Sequence, residues 1–459
     1  MYKLDFNNPV SIYFIGIGGI SMSGLAQVLH NAGFTVSGSD WHSSAITEGL
    51  EKRGICVKYG ESAEHITDDI DVAVLTSAVH DNNLEFQALL AKGIPYMSRA
   101  ELLGQMMKNY EMPIAISGTH GKTTTTSMVS EILLEGEMDP TLSIGGILKT
   151  IGGNIRIGNS GYFVTEACEY TNSFLSFFPK VSIILNIDAD HLDFFKDLED
   201  IRNSFKKFAQ LLPKDGYLII NSDIDNYEEI TAGLSCKVIT FGHDHAADYR
   251  LSSISYDEMG NGSFAVTTKA GMTREFSLSV PGEHNIMNAL SAICLADILE
   301  VPAEVTSRAL LNFHGTDRRF EYKGTINGIT IIDDYAHHPT EIEACLKAAK
   351  GCEYKNLWCI FQPHTYTRTK ALMADFAKAL SLADKVVLAD IYAARETDTL
   401  GISSVDLQKA LQALGREAYY FPSFEEIENF LLENCINGDM LITMGAGDVL
   451  KIGENLLSK

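Results

Sequence analysis

The sequence predicts an α/β protein of three domains: an N-terminal Rossmann-like domain, a central α/β domain with an antiparallel β excursion, and a C-terminal Rossmann-like α/β domain. Three apolar runs, within residues 10–19, 113–126 and 329–339, each end in a glycine-rich or polar loop. Each begins a stretch in which apolar runs alternate with helical patterns, as in parallel α/β sheets. A length of 459 residues agrees with about three domains. We place these domains at residues 1–108, 109–316 and 317–459.

The composition predicts a folded, cytoplasmic protein. Hydrophobic residues make up 46% of the chain and charged residues 21%, and the formal net charge is −24. An acidic balance of this size argues against a nucleic-acid partner. We expect no membrane partner either, because no apolar stretch approaches the roughly 18 residues of a membrane span and the N-terminus does not resemble a signal peptide. The eight cysteines form no C-x-x-C pair, so we expect reduced thiols. A monomer and a homodimer both remain open.

The first apolar run carries a glycine cluster, with Gly16, Gly18 and Gly19 followed by a helical pattern. A second strand ends at Asp40, roughly 20 residues further on, which is the spacing of a dinucleotide-binding fingerprint. The fourth glycine, Gly24, lies one residue beyond its usual place, and this leaves the type of nucleotide open. Further strands are predicted at 72–76 and 94–97.

The second apolar run is the most informative segment of the chain. A short strand leads into Gly118 and Gly121, then Lys122 and a run of threonines, and an amphipathic helix is predicted at 127–135. This layout is typical of a phosphate-binding loop of the P-loop ATPase type, in which backbone N–H groups and the helix N-terminus face phosphate oxygens. Lys122 would reach the β and γ phosphates, and the Thr123 hydroxyl would ligate Mg²⁺. Only two residues separate the glycines instead of the usual four, so a glycine-rich turn with a solvated lysine is the alternative.

Acidic residues follow two further apolar runs of the central domain. Glu166 ends one run, and Asp188, Asp190 and His191 follow the other. Because ligands gather at the carboxyl ends of parallel strands, Glu166 and His191 can approach the same space as Thr123. Glu166 either binds a cation or caps a helix, and we favour the cation. A lone histidine is more often structural, but a neighbouring carboxylate such as Asp190 can orient an imidazole towards a metal.

The rest of the chain supplies a β-rich segment and several polar loops. Residues 237–280 are interpreted as an antiparallel excursion with turns at 260–262 and 269–271, and a helix is predicted at 281–299. His337 and His338 precede Pro339, which places them in a loop or at a helix start. Arg318 and Arg319 are either surface charges or a bidentate clamp for an anion. A strand end that carries His364, Tyr366 and Arg368 fits a pocket for a small anion.

Four motifs together resemble those of the Mur ligases. They are Gly-Thr-His-Gly-Lys-Thr-Thr at 118–124, Glu-His-Asn-Ile-Met-Asn-Ala at 283–289, Arg-Arg-Phe-Glu at 318–321 and Asp-Asp-Tyr-Ala-His-His-Pro-Thr-Glu at 333–341. The resemblance runs the whole length of the chain. Within the family, the segments at 16–26, 361–369 and 391–396 resemble the branch that adds L-alanine to UDP-N-acetylmuramate.

The resemblance implies an ATP-dependent amide ligase of peptidoglycan synthesis. In this family the first domain binds the UDP-sugar, the second binds ATP and Mg²⁺, and the third brings the amino acid. The sugar carboxylate attacks the γ-phosphate of ATP, and the amine of L-alanine then displaces phosphate from the acyl phosphate. Phosphoryl transfer of this kind depends on positioning and charge neutralisation.

The resemblance also implies roles for individual residues. It places two Mg²⁺ ions, one on Thr123 and Glu166 and one on Glu166 and His191. The implied catalytic residues are Lys122, Glu166, His191, Arg319 and His338. The implied ATP contacts are Gly118, Thr119, His120, Gly121, Lys122, Thr123, Thr124, Asn285, Asn288, Arg319 and Asp334. The implied UDP-sugar contacts are Gly16, Gly18, Gly19, Ser39 and Asp40. The implied amino-acid pocket is His364, Tyr366, Arg368 and Arg395.

Three other interpretations remain at this level. A recycling ligase that attaches an intact tripeptide to the same UDP-sugar needs a roomier pocket around 364–368. A nicotinamide-dependent dehydrogenase explains only residues 16–40, and a nucleotide-switch binding module predicts no coupled phosphate release. Later-acting Mur ligases carry a carbamylated lysine about fifteen residues after the metal histidine. That spacing reaches Lys206 here, beside Phe205, and we assign no carbamate.

Overall fold

The computed structural model describes residues 2–76, 78–192, 194–394 and 396–459. The chain divides into two compact units, residues 1–241 and 242–459. The boundaries predicted after residues 108 and 316 fall inside these units and stay predictions. Among the described residues, none of the helices has the length and apolar character that crossing a membrane requires.

The first sheet has five parallel strands in the order β3-β2-β1-β4-β5. The strands are β1 Ser11–Ile15, β2 Thr35–Asp40, β3 Cys56–Tyr59, β4 Val72–Leu75 and β5 Tyr96–Ser98. The helices are α1 Ile20–Asn31, α2 Ala45–Lys52, α3 Leu84–Lys92 and α4 Arg99–Met107. This strand order is the Rossmann order without its sixth strand, and ligands bind at its carboxyl edge. The predicted strand that ends at Asp40 and the two further predicted strands are confirmed.

The second sheet of this unit runs β12-β11-β10-β6-β9-β7-β8, and its strands pair in parallel except β7 with β8. The strands are β6 Met112–Ser117, β7 Thr141–Leu148, β8 Gly153–Arg156, β9 Tyr162–Ala167, β10 Val181–Ile184, β11 Tyr217–Asn221 and β12 Lys237–Gly242. The helices are α5 Lys122–Glu135, α6 Leu198–Ala209 and α7 Tyr227–Thr231. Strand β6 lies between β9 and β10, so the loops that follow these three strands meet at one edge.

Two expectations for this sheet are wrong. Helix α5 begins at Lys122 and includes the threonines, and it is not amphipathic, because every residue from Thr123 to Ser130 is buried. It packs against β6, β7 and β9, and small hydroxyl side chains let it lie close to them. The antiparallel excursion also begins later than residue 237, because β12 pairs in parallel with β11 after the α7 crossover.

The second unit opens with an antiparallel sheet and two helices. The strands are β13 Tyr249–Tyr256, β14 Asn261–Thr268 and β15 Thr273–Pro281, and the helices are α8 Glu283–Ile298 and α9 Ala303–Asn312. Registers pair β14 with both of its neighbours. The two predicted turns therefore join consecutive strands, and the predicted helix after residue 281 is α8.

The last sheet has the order β16-β17-β21-β18-β19-β20, with β16 as an antiparallel edge strand on a parallel sheet. The strands are β16 Glu321–Ile326, β17 Ile329–Asp334, β18 Leu357–Phe361, β19 Lys385–Leu388, β20 Glu417–Tyr420 and β21 Met440–Met444. The helices are α10 Pro339–Ala349, α11 Tyr366–Ala371, α12 Met373–Leu380, α13 Ser404–Ala413, α14 Phe424–Asn434 and α15 Leu450–Leu457. Apolar clusters cover both faces of this sheet. His338 is the N-cap of α10 and Pro339 its first residue, as predicted.

Candidate active site

The loop between β6 and α5 has the backbone of an anion cradle. Gly118 has φ +144° and Gly121 φ +83°, which other residues rarely adopt. A Cβ on Gly118 would also lie 2.9 Å from Cβ of Leu185. Gly121 is the N-cap of α5, and among the described residues no side chain caps this helix end. The first turn of α5 therefore directs its N–H groups and partial positive charge into the loop.

Lys122 is the cation of this loop. Its Nζ donates to the carbonyl oxygens of Gly118 at 2.5 Å and Thr119 at 3.1 Å. It also lies 3.1 Å from Oε2 of Glu169, which is 2% exposed. Burial lowers the pKa of Lys122, but the surrounding negative groups, with Glu169 first among them, together outweigh burial and the pKa is raised. Lys122 is therefore charged at neutral pH, as a phosphate-binding group must be.

Glu166 meets Thr123 across the sheet. The Thr123 hydroxyl donates to Oε2 of Glu166 at 3.1 Å, and the backbone N–H of Gly145 donates to Oε1 at 2.5 Å. A Cβ on Gly145 would lie 2.5 Å from Oε2, so only glycine leaves room for the carboxylate there. The structure thus brings together two of the three predicted metal ligands, and both are the hard oxygen donors that Mg²⁺ prefers.

His191 approaches the same loop through Glu169. Its backbone has φ +54°, and its ring stacks on Tyr170 with centroids 4.5 Å apart. Nε2 lies 3.9 Å from Oε1 of Glu169 and 3.8 Å from Oδ2 of Asp190. Glu169 therefore lies between Lys122 and His191. Within the described ranges no group of three or more His, Cys, Asp or Glu side chains is poised to hold a metal ion. Magnesium sites usually combine one or two carboxylates with water and substrate phosphate, and the Thr123–Glu166 pair fits such a site.

The loop is braced from β10. The His120 backbone N–H donates to Oδ1 of Asn186 at 2.8 Å, and Nδ2 of Asn186 donates to the His120 carbonyl at 3.0 Å. The Asp188 N–H donates to the Thr119 hydroxyl at 2.9 Å, and the Asp188 carboxylate lies 3.1 Å from Nε2 of His120. Sequence reasoning missed Asn186 and Glu169. The available signal was their position, since each lies two residues beyond the end of its strand, β10 for Asn186 and β9 for Glu169.

The five predicted UDP-sugar residues line one cavity of about 740 Å³ at the carboxyl edge of the first sheet. Oδ2 of Asp40 accepts from the Gly18 N–H at 2.8 Å, and a Cβ on Gly18 would lie 2.7 Å from that oxygen. The carboxylate therefore holds the glycine loop in place. Ser39 is buried and donates to Oε2 of Glu85 at 2.5 Å. Glu85, another residue that sequence reasoning missed, also contacts Tyr13 at 3.2 Å and His65 at 2.6 Å.

The second unit holds the other predicted ATP residues. Asn285 and Asn288 are buried on α8, where Nδ2 of Asn288 donates to Oδ1 of Asn285 at 3.3 Å. Asp334 ends β17 and accepts from the N–H groups of Phe320 at 2.8 Å and Ala336 at 2.7 Å. Burial raises the pKa of Asp334 to about 6, against the opposing effect of Arg319. The Arg319 guanidinium lies 5.2 Å from the Tyr335 ring centre.

Burial lowers the pKa of His284 to about 4, and the Arg319 charge adds to this effect. His284 is therefore neutral at physiological pH. Because the His284 imidazole is neutral, it does not repel the positive charge of Arg319.

Three of the four predicted amino-acid pocket residues lie after β18. The His364 ring stacks on Tyr392 and meets His337 edge-on, with centroids 5.7 Å apart in both pairs. Arg368 Nη1 lies 3.3 Å from Nδ1 of His364, and the half-buried Tyr366 begins α11. The fourth predicted residue, Arg395, lies outside the described residues. His338 is buried and its Nδ1 accepts from the Thr340 N–H at 3.4 Å.

Sequence comparison places the whole chain in one family. Residues 11–111 match the Mur ligase family catalytic domain, residues 116–296 the Mur ligase middle domain, and residues 318–447 the Mur ligase glutamate ligase domain. Relatives named UDP-N-acetylmuramate–L-alanine ligase are 59% identical in Lachnospira eligens and 58% identical in Agathobacter rectalis, and the alignments cover 100% of both proteins in each case.

Solved structures give the same result. The crystal structure of UDP-N-acetylmuramate-alanine ligase MurC from Thermotoga maritima superimposes with a TM-score of 0.81 at 31% identity, over 98% of each chain. A murein peptide ligase from Psychrobacter arcticus superimposes with a TM-score of 0.71 at 26% identity, also over 98% of each chain. These matches extend over all the sheets and the phosphate loop described above, and the chain belongs to the Mur ligase family.

Proposed function

We propose that this protein is an ATP-dependent amide ligase that joins L-alanine to the carboxylate of UDP-N-acetylmuramate, through an acyl phosphate, in the synthesis of peptidoglycan precursors in the cytoplasm. The observation that carries the proposal is the phosphate loop, in which charged Lys122 lies beside the contact between Thr123 and Glu166. The full-length relatives at 58% and 59% identity support L-alanine as the amino acid.

The loop residues account for the nucleotide half of the reaction. The backbone N–H groups at the N-terminus of α5 would hold the phosphates of ATP, and Lys122 would offset the charge that develops on the transferred group. Thr123 and Glu166 would hold one Mg²⁺, and Glu166 with His191 a second. Bound Mg²⁺ supplies charge neutralisation and orientation of the phosphate oxygens. Asn285, Asn288, Arg319 and Asp334 are proposed as further ATP contacts.

The other two substrates are assigned to separate places. The 740 Å³ cavity around Gly16, Gly18 and Asp40 has the size for a sugar nucleotide, and it would hold the UDP moiety. The His364 and Arg368 pair would receive L-alanine, because a guanidinium binds carboxylate in a bidentate manner. The family matches at 11–111, 116–296 and 318–447 support a division of these tasks among three domains.

Phosphate release tests the proposal directly. With ATP, Mg²⁺ and UDP-N-acetylmuramate present, we expect L-alanine to stimulate phosphate release and an L-alanyl-γ-D-glutamyl-diaminopimelate tripeptide to have no effect. Stimulation by the tripeptide alone would identify a recycling ligase instead. Release that depends on neither would exclude both ligases.

Replacing Lys122 tests whether the ATP site and the UDP-sugar site are independent of each other. The Lys122→Ala variant should lose at least about a hundredfold in kcat, because its charge acts on the transferred phosphate. Calorimetry should give a Kd for UDP-N-acetylmuramate within about twofold of the wild type, because the cavity and the loop are built from different sheets. A parallel collapse of UDP-sugar affinity would show that the two sites are not separate.

A further inference from the structure

The chain has two tryptophans, and they lie in opposite environments. Trp358 in β18 is fully buried, and its indole N–H donates to Asp439 at 2.9 Å. Trp41 is 66% exposed. Exposure of a large aromatic ring forgoes roughly 2–3 kcal/mol of burial free energy. A tryptophan left open in this way is expected at a surface that a ligand covers.

Trp41 is fixed at the wall of the UDP-sugar cavity. It follows Asp40 at the carboxyl end of β2, and its backbone N–H donates to Oδ1 of Asp40 at 2.8 Å. The same carboxylate holds the Gly18 N–H through its other oxygen. Trp41 and the glycine loop are therefore tied to one side chain. Trp41 lines the same 740 Å³ cavity as Gly16, Gly18 and Gly19.

The charges that line the cavity indicate where the diphosphate and the base of a nucleotide would bind. The described lining residues include the acids Asp40, Glu61 and Glu85 and contain neither lysine nor arginine. The Gly18 N–H already donates to Asp40, so the N-terminus of α1, whose N-cap is Gly19, is the part of this wall that can face a diphosphate. The uncharged base is the part that tolerates acidic walls. Carboxylates accept from its ring N–H and from ribose hydroxyls, and its flat face requires an apolar surface.

We infer that Trp41 is the surface on which the uracil base of the UDP-sugar stacks, which makes it a substrate-binding residue of this cavity. The inference rests on the proposed function, because it takes the UDP-sugar as the ligand. Stacking of a base on an indole is sequence-tolerant and depends on overlap of the two rings. Trp41 thus sets affinity for the nucleotide, and it lies apart from the carboxylate that reacts.

Intrinsic fluorescence tests the contact in the intact protein, because Trp41 is the exposed fluorophore and Trp358 a buried internal reference. Titration with UDP or UDP-N-acetylmuramate should quench the emission of Trp41 in a saturable way, and inorganic pyrophosphate should not. The Trp41→Phe variant should retain the Trp358 signal and show no quenching. Equal quenching by pyrophosphate, or no quenching while calorimetry detects UDP-sugar binding, would overturn the inference and leave the ligase assignment intact.

Kinetics gives a second, independent measurement. Trp41→Ala should raise KM for UDP-N-acetylmuramate about tenfold, the typical effect of removing one stacking partner. The value of kcat should stay within about twofold, because a remote contact of this kind acts equally on ground and transition states. Trp41→Phe should restore most of the affinity. The exposed Tyr322 of the second unit, 62% exposed, supplies a matched control, and Tyr322→Ala should leave this KM unchanged.

An unaltered KM in Trp41→Ala would contradict the inference, as would a loss confined to kcat. Absence of any UDP-sugar binding to the wild-type protein is a different result, because it would overturn the proposed function itself.

Discussion

At the residue scale, buried carboxylates are the groups whose environment departs most from water. Asp334 is 8% exposed and has its oxygens fixed by two backbone N–H groups. Glu166 in β9 and the more deeply buried Glu169, two residues beyond that strand, show how position decides the role of a carboxylate. Glu166 contacts a hydroxyl and a backbone N–H, whereas Glu169 contacts the Lys122 ammonium. The contacts of Glu166 leave oxygen lone pairs that can bind a metal cation. Glu169 instead neutralises the positive charge of Lys122.

The raised pKa of Asp334 predicts a pH dependence of stability. Burial raises this pKa to about 6 from an ordinary value of 3.8. The folded state therefore holds the proton more tightly, so the stabilising contribution is complete below about pH 4 and is lost as pH rises through 6. Urea unfolding of the wild type and Asp334→Asn should show the wild type losing roughly 2 kcal/mol relative to the variant between about pH 4 and 7. A difference that stays constant over this range would contradict the assignment.

Sequence reasoning found the residues that begin or end elements and missed those that brace them. Lys122, Thr123 and Glu166 stand at predictable places, namely a helix start and a strand end. Asn186 and Glu169 belong to the site only because β10 and β9 flank β6. Strand order in a parallel sheet is set by crossover connections and packing, and residue patterns within one strand do not encode it.

At the element scale, helix α5 shows how packing overrides a local pattern. The segment at 127–135 has the apolar spacing of a surface helix, yet α5 is buried from Thr123 to Ser130. The functional part of α5 is its N-terminus, because its first turn must face the phosphate loop. An amphipathic pattern is not needed for this role. Strand β12 is a second case. Its apolar run fits a parallel or an antiparallel neighbour equally well, and the preceding α7 crossover decides in favour of parallel pairing.

Strand β7 supplies the space in which the Glu166 carboxylate lies, and a methyl group should remove that space. In Gly145→Ala the new Cβ would lie 2.5 Å from Oε2 of Glu166. The carboxylate should move away from Thr123, since the end of a side chain yields more easily than the backbone. We expect the Mg²⁺ concentration for half-maximal activity to rise about tenfold, with a thermal midpoint within about 2 °C of the wild type.

The neighbouring strand β8 offers the matched control. A Cβ on Gly153 meets no heavy atom within 4 Å, so Gly153→Ala should leave the Mg²⁺ dependence unchanged. An equal effect of both substitutions would assign the loss to sheet distortion instead of to the carboxylate. No effect of either would show that Glu166 does not hold the metal.

At the scale of the whole molecule, the net charge of the protein has the same sign as the charge of two of its proposed substrates. The chain has 60 acidic and 36 basic residues and a formal net charge of −24, and both UDP-N-acetylmuramate and ATP are anions. The acidic surface therefore repels two of the three proposed substrates at long range. Attraction arises only close to the glycine and phosphate loops, where helix N-termini and Lys122 act over a few ångströms.

Raising the salt concentration screens this long-range repulsion and should therefore reveal it. The Debye length falls to about 10 Å at 0.1 M salt, which removes long-range repulsion while contacts inside the loops are little affected. At constant free Mg²⁺, we expect kcat/KM for UDP-N-acetylmuramate to rise about twofold between roughly 20 and 150 mM KCl. The same salt series should leave kcat/KM for L-alanine unchanged, because the zwitterion has no net charge. A fall in kcat/KM for the UDP-sugar would mean that the positive field of the loops extends beyond the cavity and dominates the encounter.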